Sequence, residues 1–127
     1  KLIVIFLAML LLTACGQNNE STREAVYVNI SAKEAKEIMD SQKGYVILDT
    51  RTQEEYNEGH IPGAILIPYD EILEKAETVL QDKNQLLLVY CRSGRRSKLA
   101  AEDLVKLGYT NIKEFGGIID WQYEIEK

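Results

Sequence analysis

The sequence predicts an α/β domain with a mainly parallel sheet of about five strands and helices on both faces. Short apolar runs alternate with helical patterns from residue 27 onward, and parallel strands are normally joined by helical crossovers. Residues 86–90 are apolar enough for a central strand that is covered on both faces. The chain has 127 residues, 46% of them hydrophobic, so it suits one domain and is too short for two.

The first two helices are marked by capping boxes. Ser31 with Glu34, and Thr52 with Glu55, have the spacing at which a hydroxyl and a carboxylate satisfy the free amides of a helix start. Five apolar runs along the chain are short enough to be strands. The predicted strands are residues 27–28, 45–48, 64–67, 86–90 and 111–115.

The third helix is predicted by an apolar stripe that follows Asp70, a candidate N-cap. Apolar residues at positions i, i+1, i+4, i+7 and i+8 are typical of a helix that packs on a sheet. The stripe consists of Ile72, Leu73, Ala76, Val79 and Leu80.

The fourth helix should begin near Arg95 or Arg96 and end at Gly108, since glycine suits the left-handed position just past a helix end. Its start therefore adjoins the loop that follows the central strand. The residues expected to be buried along this helix are Ala100, Ala101, Leu104, Val105 and Leu107.

The N-terminal segment resembles an export signal. Residues 2–12 are eleven uncharged apolar residues after Lys1, whereas a membrane-spanning helix needs roughly 20. Residues 12–15 resemble the lipobox of bacterial lipoproteins, which implies removal of residues 1–14 and a lipid on Cys15. The alternative is an ordinary signal peptide with a coincidental cysteine. We expect an extracytoplasmic protein anchored to a bacterial membrane, with residues 15–25 as a tether and 26–127 as the domain.

Composition excludes several functional classes. The formal net charge of −5 argues against nucleic-acid binding, which depends on surplus Lys and Arg. Cys15 and Cys91 are the only cysteines and His60 is the only histidine, which leaves too few soft ligands for a metal site. The sequence contains no motif for an organic cofactor, so none is expected.

The candidate catalytic residues gather in one loop that starts at Cys91, at the end of the central strand. Ligands of open α/β sheets bind beyond the carboxyl ends of strands. Three of the five arginines lie in this loop, and Gly94 allows backbone amides to form an anion nest at a helix start. Such surroundings lower the pKa of a thiol, so Cys91 is predicted to be an activated nucleophile; the alternative is a buried structural thiol. The following loop residues are Arg92, Ser93, Gly94, Arg95, Arg96 and Ser97.

Several motifs, in order along the chain, resemble the rhodanese family of sulfurtransferases. The resemblance extends from residue 26 to residue 123 and implies a single rhodanese-like domain. The motifs are VILDTR at 46–51, EEY at 54–56, GHIPGA at 59–64, YCRSG at 90–94, and the late Gly116-Gly117 with Trp121.

The resemblance implies a sulfurtransferase with Cys91 as its nucleophile. Cys91 would attack the outer sulfur of an anionic donor such as thiosulfate, hold it as a persulfide, and pass it to cyanide or a thiol. Arg92 and Arg96 are the preferred donor-binding residues, while Arg95 is expected to point to solvent. The loop has no second cysteine, so turnover should depend on an external acceptor.

Residues outside the loop have supporting roles in this interpretation. Asp49 and Arg51 are expected to orient the loop through a salt bridge or hydrogen bonds rather than to act as a catalytic pair. His60 is expected to fix a turn by hydrogen bonding, because an ionised nucleophile needs no base. Trp121 either borders the pocket or fills the core. The acidic residues expected to form a solvated helix face are Glu54, Glu55 and Glu58.

Two alternative functions remain open. From Cys91 through Arg96 the loop has six residues. Dual-specificity phosphatases and arsenate reductases have a similar loop that is one residue longer. A tetrahedral phosphate needs a wider ring of donors than one sulfur atom, so the shorter loop favours sulfur transfer. The second alternative is a module that carries sulfur or binds a partner without multiple turnover, which an assay of repeated turnover would distinguish.

Overall fold

The computed structural model describes residues 26–127, in which five strands form one sheet. The strands are β1 (Val28–Asn29), β2 (Tyr45–Asp49), β3 (Ile65–Leu66), β4 (Leu86–Cys91) and β5 (Ile112–Gly117). They lie in the order β1-β5-β4-β2-β3, and every neighbouring pair is parallel. The sheet thus has the predicted five strands, with β4 at its centre.

Four helices connect the strands and cover both faces of the sheet. They are α1 (Ala32–Ser41), α2 (Gln53–Glu58), α3 (Ile72–Val79) and α4 (Arg95–Lys106), with short 3-10 turns at Tyr69–Glu71 and Ile118–Asp120. Helices α3 and α4 bury residues in one apolar cluster, whereas α1 and α2 contribute to a second cluster on the opposite face. The predicted fold class is confirmed.

The segment before the domain is outside this description. The predicted signal peptide, the tether and the lipid-bearing Cys15 all fall within residues 1–25, beyond the described residues. Within residues 26–127, no helix is both long enough and apolar enough to cross a membrane.

Most of the helices begin and end where the capping residues of the sequence predict. The hydroxyl of Ser31 accepts a hydrogen bond from the Glu34 amide at 3.0 Å, and Thr52 with Glu55 forms a complete capping box. Gly108 follows α4 with a φ of +92°, the left-handed conformation expected there.

The third helix differs from its prediction at both its start and its buried face. Asp70 is not the N-cap, because the preceding 3-10 turn runs directly into α3 and the Glu71 amide donates to the Pro68 carbonyl at 2.9 Å. Leu73 and Val79 are 55% and 53% exposed. The helix therefore packs along a narrow stripe rather than the broad one predicted. The buried members are Ile72, Ala76 and Leu80.

The central strand carries the core of the domain. On β4, Leu87 and Val89 belong to the cluster beneath α3 and α4, while Leu88 and Tyr90 belong to the cluster beneath α1. All four are fully buried, as predicted for a strand covered on both faces. The register between β4 and β5 shifts just before Cys91, and this irregularity places Gly117 beside Cys91 at the carboxyl end of β4.

Candidate active site

Cys91 lies at the last position of β4, where the chain turns toward α4. The residue is 1% exposed, and the Gly94 amide donates a hydrogen bond to its sulfur at 3.0 Å. Gly94 has a φ of +114° and is the N-cap of α4, so the left-handed turn directs this amide back at the sulfur. The thiol therefore sits at the start of a twelve-residue helix, where partial positive charge favours an anion.

The hydrogen bonds around Cys91 determine the pKa of its thiol. Burial alone would raise that pKa, because it disfavours the charged form. The hydroxyl and amide of Ser97, together with the amides of Gly94 and Ser93, lower it, and their combined effect exceeds that of burial. The net result is a pKa below the ordinary value, which favours the thiolate, the reactive form of cysteine.

The loop packs closely on β5 through two glycines. A Cβ atom on Gly117 would lie only 1.8 Å from the carbonyl oxygen of Arg92, so no other residue fits without moving the loop. A Cβ on Gly94 would approach the Gly116 Cα at 3.6 Å. The Ile119 amide also donates to the Arg92 carbonyl at 3.2 Å. Gly116 and Gly117 thus form the surface on which the Cys91 loop packs.

The three loop arginines are in different environments. Arg92 and Arg95 are exposed, and the Arg95 guanidinium lies over the Tyr69 ring at 5.8 Å from its centroid. Arg96 is half-buried and forms a bidentate ion pair with Glu55, with N···O distances of 2.6 and 2.9 Å. Among residues 26–127 this pairing leaves Arg92 and Arg95 as the loop cations available to an anionic ligand.

The expectation that Glu55 belongs to a solvated face is wrong. Glu54 and Glu58 are exposed, but Glu55 is half-buried because the start of α4 lies against the first turn of α2. Hydrogen bonding to Arg96 is the main reason that the pKa of Glu55 falls from 4.5 to about 2. Glu55 therefore stays ionised beside the loop.

Asp49 and Arg51 form a buried network under the end of β4. The Arg51 guanidinium pairs with the Asp49 carboxylate at 2.7 Å and donates to the Gly59 carbonyl at 2.7 Å. The Tyr90 hydroxyl donates to the same carboxylate at 2.8 Å and accepts from the Ile61 amide. Burial, and next the negative charge of Asp49, raise the pKa of Tyr90. The salt bridge that the sequence suggested is present; its effect on the loop stays a prediction.

Two residues that the sequence did not single out also contact the loop or its strand. The amide and hydroxyl of Thr50 both donate to the Tyr90 carbonyl, at 3.0 and 2.8 Å, and so fix the backbone just before Cys91. Glu114 on β5 is fully buried, and its carboxylate accepts from the Ser97 hydroxyl at 2.7 Å. Nothing in the sequence Asp49-Thr50-Arg51 predicts that Thr50 would hold the backbone before Cys91. For Glu114, the only sequence signal is a single Glu in an otherwise apolar strand.

Comparison with known proteins shows the family to which this arrangement belongs. Residues 31–124 match the family described as Rhodanese-like domain. The chain belongs to the rhodanese-like domain family. That match spans the Cys91 loop, the buried pair of Asp49 and Arg51, and the two glycines Gly116 and Gly117.

Individual relatives of this rhodanese-like domain include named sulfurtransferases. The chain is 42% identical over 73 residues to "Thiosulfate sulfurtransferase PspE" of Escherichia coli, covering 58% of this chain and 70% of that protein. It is 34% identical over 112 residues to "Putative sulfur carrier protein YrkF" of Bacillus subtilis, covering 87% of this chain but only 60% of that protein. A solved structure described as "rhodanese with anions from E. coli" matches with a TM-score of 0.61 and 38% identity, over 65% of this chain and 98% of that one.

His60 of the rhodanese-like domain lies in a turn that the C-terminal residues hold. Its ring stacks on Tyr56 with centroids 3.7 Å apart, and its Nδ1 lies 2.9 Å from the Tyr56 carbonyl. The backbone of His60 pairs with Glu126 in an isolated antiparallel bridge, and Nε2 lies 3.3 Å from the Glu126 carboxylate. These contacts suit a turn-fixing residue.

Trp121 faces a cavity that the cysteine loop does not line. Its ring packs near Phe115 and Tyr123, and its Nε1 donates to the Glu124 carbonyl at 2.9 Å. The cavity beside it measures about 460 Å³ and lies between α1 and the C-terminal residues. Its lining includes Met39, Tyr45, Ile47, Ile61, Trp121 and Tyr123.

Proposed function

We propose that this rhodanese-like domain is a sulfurtransferase that moves sulfane sulfur from an anionic donor such as thiosulfate to cyanide or a thiol, through a persulfide on Cys91. The observation that carries the proposal is the Gly94 amide 3.0 Å from the Cys91 sulfur, in a ring of donors that lowers the pKa of the thiol. The 42% identity to a protein named thiosulfate sulfurtransferase supports the same reaction.

The first half-reaction loads sulfur onto Cys91. The thiolate attacks the outer sulfur of thiosulfate, a new S–S bond forms at Cys91, and the original S–S bond breaks with its electron pair leaving on sulfite. The terminal persulfide sulfur then carries the negative charge. The loop amides that stabilise the thiolate are also suited to donate to this second sulfur, because they converge at the start of α4.

The second half-reaction returns the thiolate. Cyanide attacks the terminal sulfur, a C–S bond forms, and the persulfide S–S bond breaks with its electron pair returning to Cys91. With a thiol acceptor, its thiolate attacks in the same way and leaves as a new persulfide. Because the described domain has one free cysteine, the acceptor must come from outside it.

The electrostatics of the loop favour an anionic donor. Arg92 is exposed next to Cys91, and Arg95 is held over Tyr69 on the same loop. Arg96, the other residue expected to bind the donor, is partly neutralised by Glu55. We therefore assign the main donor contact to Arg92, with Arg96 holding the start of α4.

We also propose that the protein works outside the cytoplasm, anchored to a bacterial membrane by a lipid on Cys15. The support for this is the sequence alone: eleven apolar residues followed by Leu12-Thr13-Ala14-Cys15. Metabolic labelling with a fatty acid, in cells producing the full protein or its Cys15→Ala variant, tests it. Label present in the first and absent from the second is the expected result.

The catalytic proposal is tested with a fragment that begins near Glu20 and its Cys91→Ala variant. Thiocyanate formation from thiosulfate and cyanide reports turnover, and the mass after thiosulfate alone reports the persulfide. We expect a gain of one sulfur atom and repeated turnover in the parent, and neither in the variant. Absence of both from the folded parent would exclude this reaction, and phosphate-ester hydrolysis would be assayed next.

A non-turnover sulfur carrier is the second candidate, and the likeness to a protein named as a putative sulfur carrier favours it. In that case Cys91 still accepts one sulfur, but release to small acceptors is slow. The two candidates predict the same mass gain and differ in the second half-reaction. Single-turnover measurement of persulfide loss after addition of cyanide separates them.

A further inference from the structure

The cavity of about 460 Å³ beside Trp121 lies on the α1 face of the sheet. Its walls come from α1, β2, the turn before β3 and the C-terminal residues, and none of the residues that line it belongs to the Cys91 loop. The volume falls within the range of about 300–1,000 Å³ that is usual for small-molecule sites. The cavity therefore has the size of a ligand site that sulfur transfer at Cys91 does not use. The apolar part of its lining consists of Met39, Ile47, Ile61, Pro62 and Trp121.

The mouth of the cavity, formed by Lys36, Asp40, Tyr123 and Glu124, already holds an ammonium group. The Lys36 Nζ lies 5.6 Å from the centroid of the Tyr123 ring, within the range of a cation–π contact. The same Nζ forms an ion pair with the Asp40 carboxylate, one turn further along α1. Hydrogen bonding to Asp40 is the main reason that the pKa of Lys36 is raised, and the negative charge of Glu124 adds to the effect. An ammonium at this mouth thus meets one aromatic face and two carboxylates.

Two aromatic rings form a corner beside this ammonium. The rings of Trp121 and Tyr123 have centroids 4.9 Å apart and are inclined at 69° to each other. The indole is held in place because its Nε1 donates to the Glu124 carbonyl at 2.9 Å. Aromatic rings set at an angle are the arrangement by which proteins recognise quaternary ammonium groups. The corner is therefore suited to a cationic head group.

The charged groups that line the cavity sum to a negative charge. They are Lys36, Asp40 and Glu124, so one carboxylate is in excess over the ammonium. A cation entering the cavity offsets this excess, whereas an anion is repelled by it. The Lys36 side chain is 32% exposed and carries its charge on a long flexible stem, so it can turn from the Tyr123 ring to solvent without movement of α1.

We propose that this cavity binds a small organic cation, with an ammonium head at the mouth and an apolar body against Trp121. The head replaces the Lys36 Nζ over the Tyr123 ring, and Lys36 turns outward. The apolar body covers the walls of the cavity, which a bare inorganic cation cannot do. Quaternary and alkyl ammonium compounds have both parts. The inference does not depend on sulfur transfer by Cys91, because the Cys91 loop does not line the cavity.

The test is a fluorescence titration of the full chain, in which Trp121 is the only tryptophan. The probe is benzyltrimethylammonium chloride at low ionic strength, and we expect a saturable change with a Kd of about 1 mM, which is ordinary for so small a ligand. The neutral comparison is phenyl tert-butyl carbinol, in which a tert-butyl group replaces the trimethylammonium. It should bind at least about tenfold more weakly. Equal binding of the two compounds, or no saturable change with the probe, would overturn the proposal.

Lys36→Met tests whether the probe takes the place of the lysine ammonium. Methionine keeps an unbranched apolar stem and removes the charge, which leaves the Tyr123 face free and the mouth more negative. The probe should then bind about threefold more tightly. Lys33→Met is the matched control, because Lys33 is exposed on the same helix and does not line the cavity; its Kd should equal that of the parent. If Lys36→Met bound the probe no more tightly than the parent, the proposed position of the head would be wrong.

Glu124→Gln tests the contribution of the excess carboxylate. The change leaves the Glu124 carbonyl that holds Trp121 in place, so it removes charge without moving the indole. Binding of benzyltrimethylammonium should weaken about threefold at low ionic strength, while binding of the neutral carbinol should not change. Glu37→Gln, at an exposed position of α1 that does not line the cavity, is the control and should alter neither Kd. Equal weakening of both compounds in Glu124→Gln would show a displaced Trp121 rather than a lost charge, and would overturn the assignment of a cationic ligand.

Discussion

Glu55 holds the guanidinium of Arg96 by two parallel hydrogen bonds, at 2.6 and 2.9 Å, across 41 positions of sequence. The pair links the first turn of α2 to the first turn of α4, immediately beside the Cys91 loop. A planar guanidinium matched to a carboxylate fixes orientation as well as distance. The loop therefore depends on a residue from a different crossover for its position.

Glu55→Gln should lower the free energy of unfolding by about 1–2 kcal/mol. Glutamine at this position can still complete the capping box with Thr52, so the loss reports mainly the ion pair with Arg96. Urea unfolding at neutral pH measures it. Glu54→Gln is the matched control, because Glu54 is an exposed neighbour on the same helix turn; its change should stay within about 0.5 kcal/mol. Equal losses in both variants would contradict a specific role for Glu55.

The stability that Glu55 provides should disappear in acid. Its pKa is about 2 in the folded protein against an ordinary value of 4.5, so the folded state binds this proton less readily than the unfolded state does. The contribution is therefore complete above about pH 4.5 and is lost as pH falls toward about 2. The difference in unfolding free energy between the parent and Glu55→Gln should shrink over this window. A difference that stays constant through it would show that the variant acts by another route.

Arg92 should contribute more to donor affinity than Arg95. The two guanidiniums are exposed on one loop, but Arg92 adjoins Cys91 and Arg95 rests over Tyr69. Arg92→Gln should raise KM for thiosulfate about tenfold, the effect of about 1.4 kcal/mol, with a smaller change in kcat. Arg95→Gln is the control and should change KM by less than about threefold. Added salt should narrow the gap between Arg92→Gln and the parent, since it screens exposed charges.

Those features of the fold that local sequence encodes could be predicted. The capping spacing of Thr52 and Glu55, the apolar β4 and the glycine after α4 each act within a few residues, and the structure shows all three. The width of the α3 stripe could not be predicted. Leu73 and Val79 have the period of a buried face, but only the placement of α3 beside α4 decides how much of that face is covered.

The site shows the same division between local and distant determinants. The cysteine loop is a continuous segment, and its composition alone predicts a thiol in an anion nest. The partners of that loop come from elsewhere: Glu55 is 41 residues from Arg96, and Glu114 is 17 residues from Ser97. Glu114 reaches Ser97 because β5 lies beside β4 in the sheet, next to the strand from which the loop and α4 continue. Without the sheet order, neither carboxylate can be distinguished from the others in an acidic chain.

Gly117→Ala should disable the Cys91 loop although its backbone conformation tolerates alanine. The φ of Gly117 is −136°, an extended value open to any residue, so the new methyl group adds no backbone strain. That methyl group would lie 1.8 Å from the Arg92 carbonyl oxygen, which must move away and carry the loop with it. We expect at least a hundredfold loss of thiocyanate formation, because catalytic positions tolerate displacements of less than about 1 Å. Alkylation of Cys91 should slow in parallel.

Gly116→Ala is the informative comparison, because the adjacent glycine has the reverse combination of properties. Its φ is +85°, which costs an alanine about 1–2 kcal/mol, but a Cβ there meets nothing within 4 Å. This variant should therefore lose stability in urea unfolding and keep activity within a few fold, whereas Gly117→Ala should lose activity out of proportion to stability. If both variants lost stability and activity in the same ratio, the close contact between Gly117 and Arg92 would not be what holds the loop in its active shape.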